Sequence, residues 1–151
     1  MLSLYCEKWK TELTMKPKLR TYVKLKDNFG VEKYVQLNLS RSQRSLLAQI
    51  RIGILPLSIE TGRYSKTKLD RLEDRLCTLC NARKVENETH FLFNCNFYKT
   101  ERSNFLQNTR DVVLTYSLIN NFKILCNSHP RLLSKFINNI WTKRKDGMYK
   151  I

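Results

Sequence analysis

The run CTLCNARKVENETHFLFNC, from Cys77 to Cys95, constrains this chain more than any other stretch. Three of the five cysteines and one of the two histidines fall inside it. Their order is Cys77-x2-Cys80-x9-His90-x4-Cys95. A C-x2-C pair lets two thiolates reach one metal across a tight turn, and three sulfurs with one imidazole suit a tetrahedral zinc ion. All four positions would be filled by protein, which leaves none open for a substrate. The spacing therefore predicts one structural Zn2+. The alternative is that these are small buried side chains with no metal; four ligands in order within so short a run weigh against it. His90 and Cys95 are five apart, about 140° of rotation on an unbroken α-helix. For both to face one metal, the segment THFLFNC is predicted to form a short helix that breaks at Cys95. Phe91 and Phe93 then pack beneath the site.

Metal is not needed merely to give this chain a core. A globule of 151 residues buries roughly two thirds of its unfolded surface, and 42% of the residues are hydrophobic, a normal globular share. The length fits one domain. Three parts can be distinguished within it: a basic helical part over 1–69, the cysteine-rich knuckle with its following helix over 70–110, and a helical part over 111–151.

Charge is the compositional outlier. Lys and Arg number 28 against 13 Asp and Glu, for a formal net charge of +15. Such a surplus attracts polyanions, nucleic acid first. It is unevenly spread: residues 1–70 hold 14 basic and 6 acidic groups, 71–110 hold 7 and 5, and 111–151 hold 7 and 2. The knuckle itself is nearly neutral, so a polyanion surface must come from its flanks. No apolar signal core is visible in MLSLYCEKWK, and no stretch approaches the ~20 apolar residues of a membrane span. An intracellular protein, nuclear or cytoplasmic, with reduced cysteines is expected. The sequons at Asn38 and Asn87 carry no meaning there.

Periodicity predicts a mainly α fold. Leu2, Tyr5, Cys6, Trp9 and Leu13 share a helical face that ends before Pro17. Residues 21–37 fit either a hairpin around the DNFG turn or two short helices. SRSQRSLLAQIRIGIL reads as a helix capped by Ser40 or Ser42 and ended by Gly53 and Pro56. Leu46, Leu47, Ile50 and Ile54 form its apolar face, with Arg41, Arg44 and Arg51 on a neighbouring one. A short helix is expected over 68–76, and another after Cys95. Leu118, Ile119, Phe122, Leu125 and Cys126 make one stripe. Pro130 opens a last helix whose wide stripe (Leu132, Leu133, Phe136, Ile137, Ile140, Trp141) runs into the basic TKRKDG. Cys6 and Cys126 read as core.

The segments KLRTY, RSLLAQIRIGILPLSIETGRY, DRLCTLC and VENETHFLFNCNFYKTER, in that order, resemble the C-terminal region of non-LTR (LINE-type) retrotransposon reverse transcriptases. The resemblance covers roughly residues 16–144 and is densest over 46–102. It implies that Cys77, Cys80, His90 and Cys95 are the family's Cys-Cys-His-Cys zinc knuckle, and that the chain helps hold RNA template or target DNA. Other parts of a retroelement machinery become possible partners. The polymerase of that family needs paired aspartates for two metal ions. The five aspartates here, at 27, 70, 74, 111 and 146, include no adjacent pair. The chain thus resembles only the tail of such an enzyme, a truncated or domesticated module with no catalysis of its own.

Arg41, Arg44, Arg51, Arg63, Lys143, Arg144 and Lys145 are the expected phosphate contacts. For Arg63, Arg75 and Arg102 the competing expectation is pairing with Glu60, Glu73, Glu86 or Glu88. Glu88 or a backbone carbonyl is expected to accept the free ring N–H of His90. Tyr64, Phe97 and Tyr98 are candidates for base stacking, with core packing favoured. The rival function is a zinc knuckle that binds protein, with the last helix docking a partner.

Overall fold

The computed structural model describes residues 2–64 and 71–149, and within these the expected mainly α architecture is observed. The helices are α1 (Leu2–Thr14), α2 (Tyr22–Leu25), α3 (Arg41–Ile52), α4 (Ser58–Thr61), α5 (Lys99–Gln107), α6 (Leu118–Ser128) and α7 (Pro130–Met148). Among the described residues the strand-like pairing is limited to one antiparallel bridge, Leu76 with Val85.

Local chemistry sets the ends of α3. The Ser40 hydroxyl accepts from the Gln43 backbone N–H at 3.2 Å, and the Gln43 side chain accepts from the Ser40 N–H at 3.2 Å. This reciprocal box satisfies two otherwise orphaned donors of the helix start. Gly53 ends the helix at φ 81°, a left-handed conformation that costs glycine little. Pro130 occupies the first turn of α7, where its missing N–H is no loss.

Helices α3 and α7 pack against each other, and α5 and α6 pack on α7. Leu47, Ile50, Phe122, Leu125, Leu133, Ile137 and Ile140 are fully buried at this junction. Phe105 of α5 stacks on Phe136 of α7, with ring centroids 4.5 Å apart. Cys77, Phe91, Leu92 and Cys95 belong to the same hydrophobic core, so the knuckle is built into the domain rather than hung from it. This packing takes up most of the stripe of α7: Leu133, Phe136, Ile137 and Ile140 are buried, and Leu132 and Trp141 are half-buried.

Residues 21–37 form two short helical pieces, α2 and a 3-10 turn at Lys33–Gln36, and not a hairpin. The loop between them folds on itself. Lys26 Nζ donates to the Gly30 carbonyl at 2.7 Å and meets Glu32 at 3.1 Å. Of the helix expected over 68–76, only a 3-10 turn at Leu72–Asp74 is observed, and positions 68–70 lie outside the described residues. In α1, Leu13 is the buried side chain among those described, while Leu4 and Tyr5 are exposed.

Candidate metal centre

Two local structures bring the four predicted ligands together. The first is a tight loop closed by the Leu76–Val85 bridge. Cys77 N–H donates to the Lys84 carbonyl at 2.9 Å, and Glu86 N–H donates to Arg75 at 3.0 Å. Arg83 takes a left-handed φ of 48° to turn the chain back. Cys77 and Cys80 thereby share one end of the loop.

The second is the segment that carries His90 and Cys95. Asn87 starts it: its side-chain oxygen accepts from His90 N–H at 2.8 Å and from the Thr89 hydroxyl at 2.9 Å. The helix then widens into a π turn over His90–Asn94, with Cys95 N–H donating to the His90 carbonyl at 2.8 Å. An i→i+5 bond spreads more residues over each turn than an α-helix does. It carries Cys95 back toward the face of His90, which is how a spacing of five serves one site. Cys95 then leaves in an extended conformation, φ −67° and ψ 121°. Arg102 of α5 fixes this exit, donating to the Cys95 carbonyl at 2.7 Å.

The ligand atoms of Cys77, Cys80, His90 and Cys95 all lie within 4.8 Å of one another. Cys77 Sγ is 3.8 Å from Cys95 Sγ, and Cys80 Sγ is 3.4 Å from His90 Nε2. Cys77, His90 and Cys95 are buried and Cys80 partly so. A hydrogen bond from Cys95 holds Cys77 well below the usual thiol range, and the same contact with burial pushes Cys95 up. A cation among them would replace that shared proton, since a coordinating thiol is deprotonated. These residues can hold one metal ion.

No family model matches this chain, and no similar protein was found among the curated proteins or the solved structures.

Around the tetrad lies a polar frame that spacing alone does not reveal. Glu86 is fully buried. One of its oxygens accepts from the Ser58 N–H (2.8 Å), the Ser58 hydroxyl (2.6 Å) and Arg144 Nη2 (2.7 Å). The other stands 4.0 Å from Cys77 Sγ. Glu88 turns away from His90 and pairs with Arg20 at 2.6 Å, so it does not accept from the imidazole. His90 Nδ1 is buried and has no hydrogen-bond partner among the described residues.

The expected phosphate contacts divide sharply. Arg51 is buried, 2.6 Å from Glu32 and over the Tyr34 ring. Arg144 is 3% exposed and bound to Glu86. Neither can reach a phosphate, contrary to the sequence-based expectation. Both continue an apolar stripe: Arg51 follows Leu47 by four, and Arg144 follows Leu133, Ile137 and Ile140 at helical spacing. That spacing was the available signal. Arg63 is half-buried against Glu60 at 3.2 Å, and Lys143 holds Glu101 at 2.8 Å. Arg75 is buried and donates to the Ile59 carbonyl at 2.7 Å. Arg41, Arg44 and Lys145 are exposed.

Arg131 and Lys135, absent from the expected set, are also exposed and share a helical face of α7 with Asn138, Thr142 and Lys145. Asn138 bonds the Ser42 hydroxyl at 2.8 Å, which sets the start of α3, and with it Arg41, beside this face. Of the stacking candidates, Tyr98 is fully buried and Phe97 half-buried under Lys143, while Tyr64 is 74% exposed.

Proposed function

We propose that this chain is a zinc-ordered module that binds nucleic acid through its phosphates, in the manner expected of the C-terminal region of a LINE-type reverse transcriptase. The tetrad favours zinc on both chemistry and distance. Zn–S of 2.3 Å and Zn–N of 2.0–2.1 Å put tetrahedral ligand atoms about 3.5–3.8 Å apart. The 3.8 Å between Cys77 and Cys95 meets that figure and the 3.4 Å between Cys80 and His90 falls just below it, while all four ligand atoms lie within 4.8 Å of one another. When bound, the ion would supply structure: three cysteines and a histidine leave no open position. With no adjacent aspartates in the sequence, we assign the chain no catalysis of its own.

The observation that carries the nucleic-acid reading is where the acids go. Glu32, Glu60, Glu86, Glu88 and Glu101 are all turned to partners within the domain. Arg41, Arg44, Arg131, Lys135 and Lys145 are left exposed, with no acid at ion-pair distance among the described residues. Asp146 is the exposed acid beside this set on α7, and a surface on which cations outnumber carboxylates suits a polyphosphate. The rival reading, a partner protein docked on the stripe of α7, has less support: Leu133, Phe136, Ile137 and Ile140 are buried, and Leu132 and Trp141 are half-buried against the core.

The test is the salt dependence of binding to a short RNA and a short duplex. Each neutralised phosphate contributes roughly −0.9 to the log–log slope on duplex and −0.7 on single strands. Replacing Arg41 and Arg44 with Gln is expected to flatten the slope by about one to two units with metal still bound. Salt-insensitive binding, or none, would overturn the proposal.

A further inference from the structure

Three aromatic rings that belong to no part of the core stand together at the surface. Tyr5 and Trp9, one turn apart on α1, both meet Phe29 edge to face, with centroids at 5.2 and 5.6 Å. Tyr5 is 57% exposed and Phe29 47%, and Trp9 is half-buried. Large aromatics grouped in solvent cost free energy unless something covers them.

The charge of the neighbouring sequence narrows what could cover them. Lys8 and Lys10 flank Trp9 in sequence, with Glu7 and Glu12 the exposed acids of the same helix, and Lys16, Lys18, Lys24 and Lys33 follow, all exposed. Of these six, Lys8 alone has an acid at ion-pair distance among the described residues, Glu12 at 4.0 Å. Asp27, beside Phe29, is taken by Lys123, and Glu32 by Lys26 and Arg51. An apolar partner helix would find no use for the lysines, and an acidic one none for the open rings. Unpaired bases on a phosphate backbone use both. Aromatic faces stack bases without regard to sequence, and flanking cations follow the phosphates.

We propose that Tyr5, Trp9 and Phe29 form a stacking platform for single-stranded nucleic acid. This rests on the nucleic-acid reading above and deepens it: the α3–α7 face takes phosphates of any strand, whereas the α1 platform requires bases that are not paired. It also places stacking on rings other than Tyr98 and Phe97, which the core holds.

The full chain, loaded with zinc, is titrated by fluorescence anisotropy with three probes of equal length: an oligodeoxythymidine strand, the same strand lacking its bases, and a duplex. The abasic strand keeps every phosphate. The platform predicts that oligodeoxythymidine binds about 5- to 150-fold tighter than the abasic strand, the effect of one stacked base. In a Trp141→Phe background, which isolates Trp9, emission is expected to be quenched by oligodeoxythymidine and not by the abasic strand. Tyr5→Ala, at an exposed position, should weaken oligodeoxythymidine alone, and Tyr5→Phe should restore it. Equal affinity for the first two probes, with Tyr5→Ala affecting neither, overturns the platform and leaves the phosphate reading intact. No binding to any probe overturns both. Concentration-dependent dimers abolished by Tyr5→Ala would assign the patch to a second copy of this chain and refute the proposal.

Discussion

Replacing Arg144 with Met separates two roles that a basic residue near a helix end can play. Arg144 is 3% exposed and Glu86 is fully buried, 2.7 Å away. Removing one member of a buried ion pair costs about 3–5 kcal/mol, because the other is left as an uncompensated charge. Glu86 would keep its two bonds from Ser58, at 2.8 and 2.6 Å, which places the expected loss near the lower end. About 3 kcal/mol corresponds to a fall in Tm of roughly 6–12 °C for a chain of this size. Thermal unfolding of the zinc-loaded protein, followed by circular dichroism, reads this directly. Glu86→Gln in the same background should recover part of the loss, since contacting residues couple by about 0.5–3 kcal/mol. The salt slope of nucleic-acid binding should not change. An unaltered Tm together with a flattened slope would mean that Arg144 faces phosphate after all and that the buried pair is wrong.

The tetrad predicts one zinc per chain. Cys80→Ser should abolish stoichiometric zinc by metal analysis, and chelation should cost most of the order over 76–98, since structural zinc contributes on the order of 10–16 kcal/mol of apparent binding in small peptides. Gly62→Ala should destabilise by about 1–3 kcal/mol in urea unfolding, because a Cβ there would lie 2.6 Å from Arg75 Cγ. Burial pushes the Cys126 thiol up to about 11. A raised thiol pKa means less thiolate at neutral pH, so Cys126 should be alkylated more slowly than Cys6 in the native protein, and mass spectrometry of the modified peptides checks the order.

What could be read from the sequence follows the range of the interactions. That Cys77, Cys80, His90 and Cys95 come together was legible because their residue types and spacing within a short run already suit one site. The ends of α3 were legible because Ser40 and Gly53 act on their immediate neighbours. The π turn was not: it differs from an α-helical turn by one residue in its hydrogen bonding, and only the need to bring His90 and Cys95 together pointed to a break. The partners of Glu86 lie 28 residues before it at Ser58 and 58 after it at Arg144, and no local pattern links them. Arg51 shows the same limit with Glu32, 19 residues upstream. Its place four residues after Leu47 is a signal of burial that the phosphate expectation passed over, and the acid that makes burial tolerable comes from another element.

The separation between Glu86 and Arg144 also sets an order of events during synthesis. At about 5–20 residues per second, the 58 residues between them take about 3–12 s to be added. All four residues of the tetrad have been translated by residue 95, before Arg144 exists. During that interval Glu86 has Ser58 but no guanidinium, and its carboxylate must stay hydrated. The tetrad is therefore made early but can be sealed into the core only when the last helix arrives. A chain that stops short of α7 would leave the tetrad open to solvent on the side that α7 later covers.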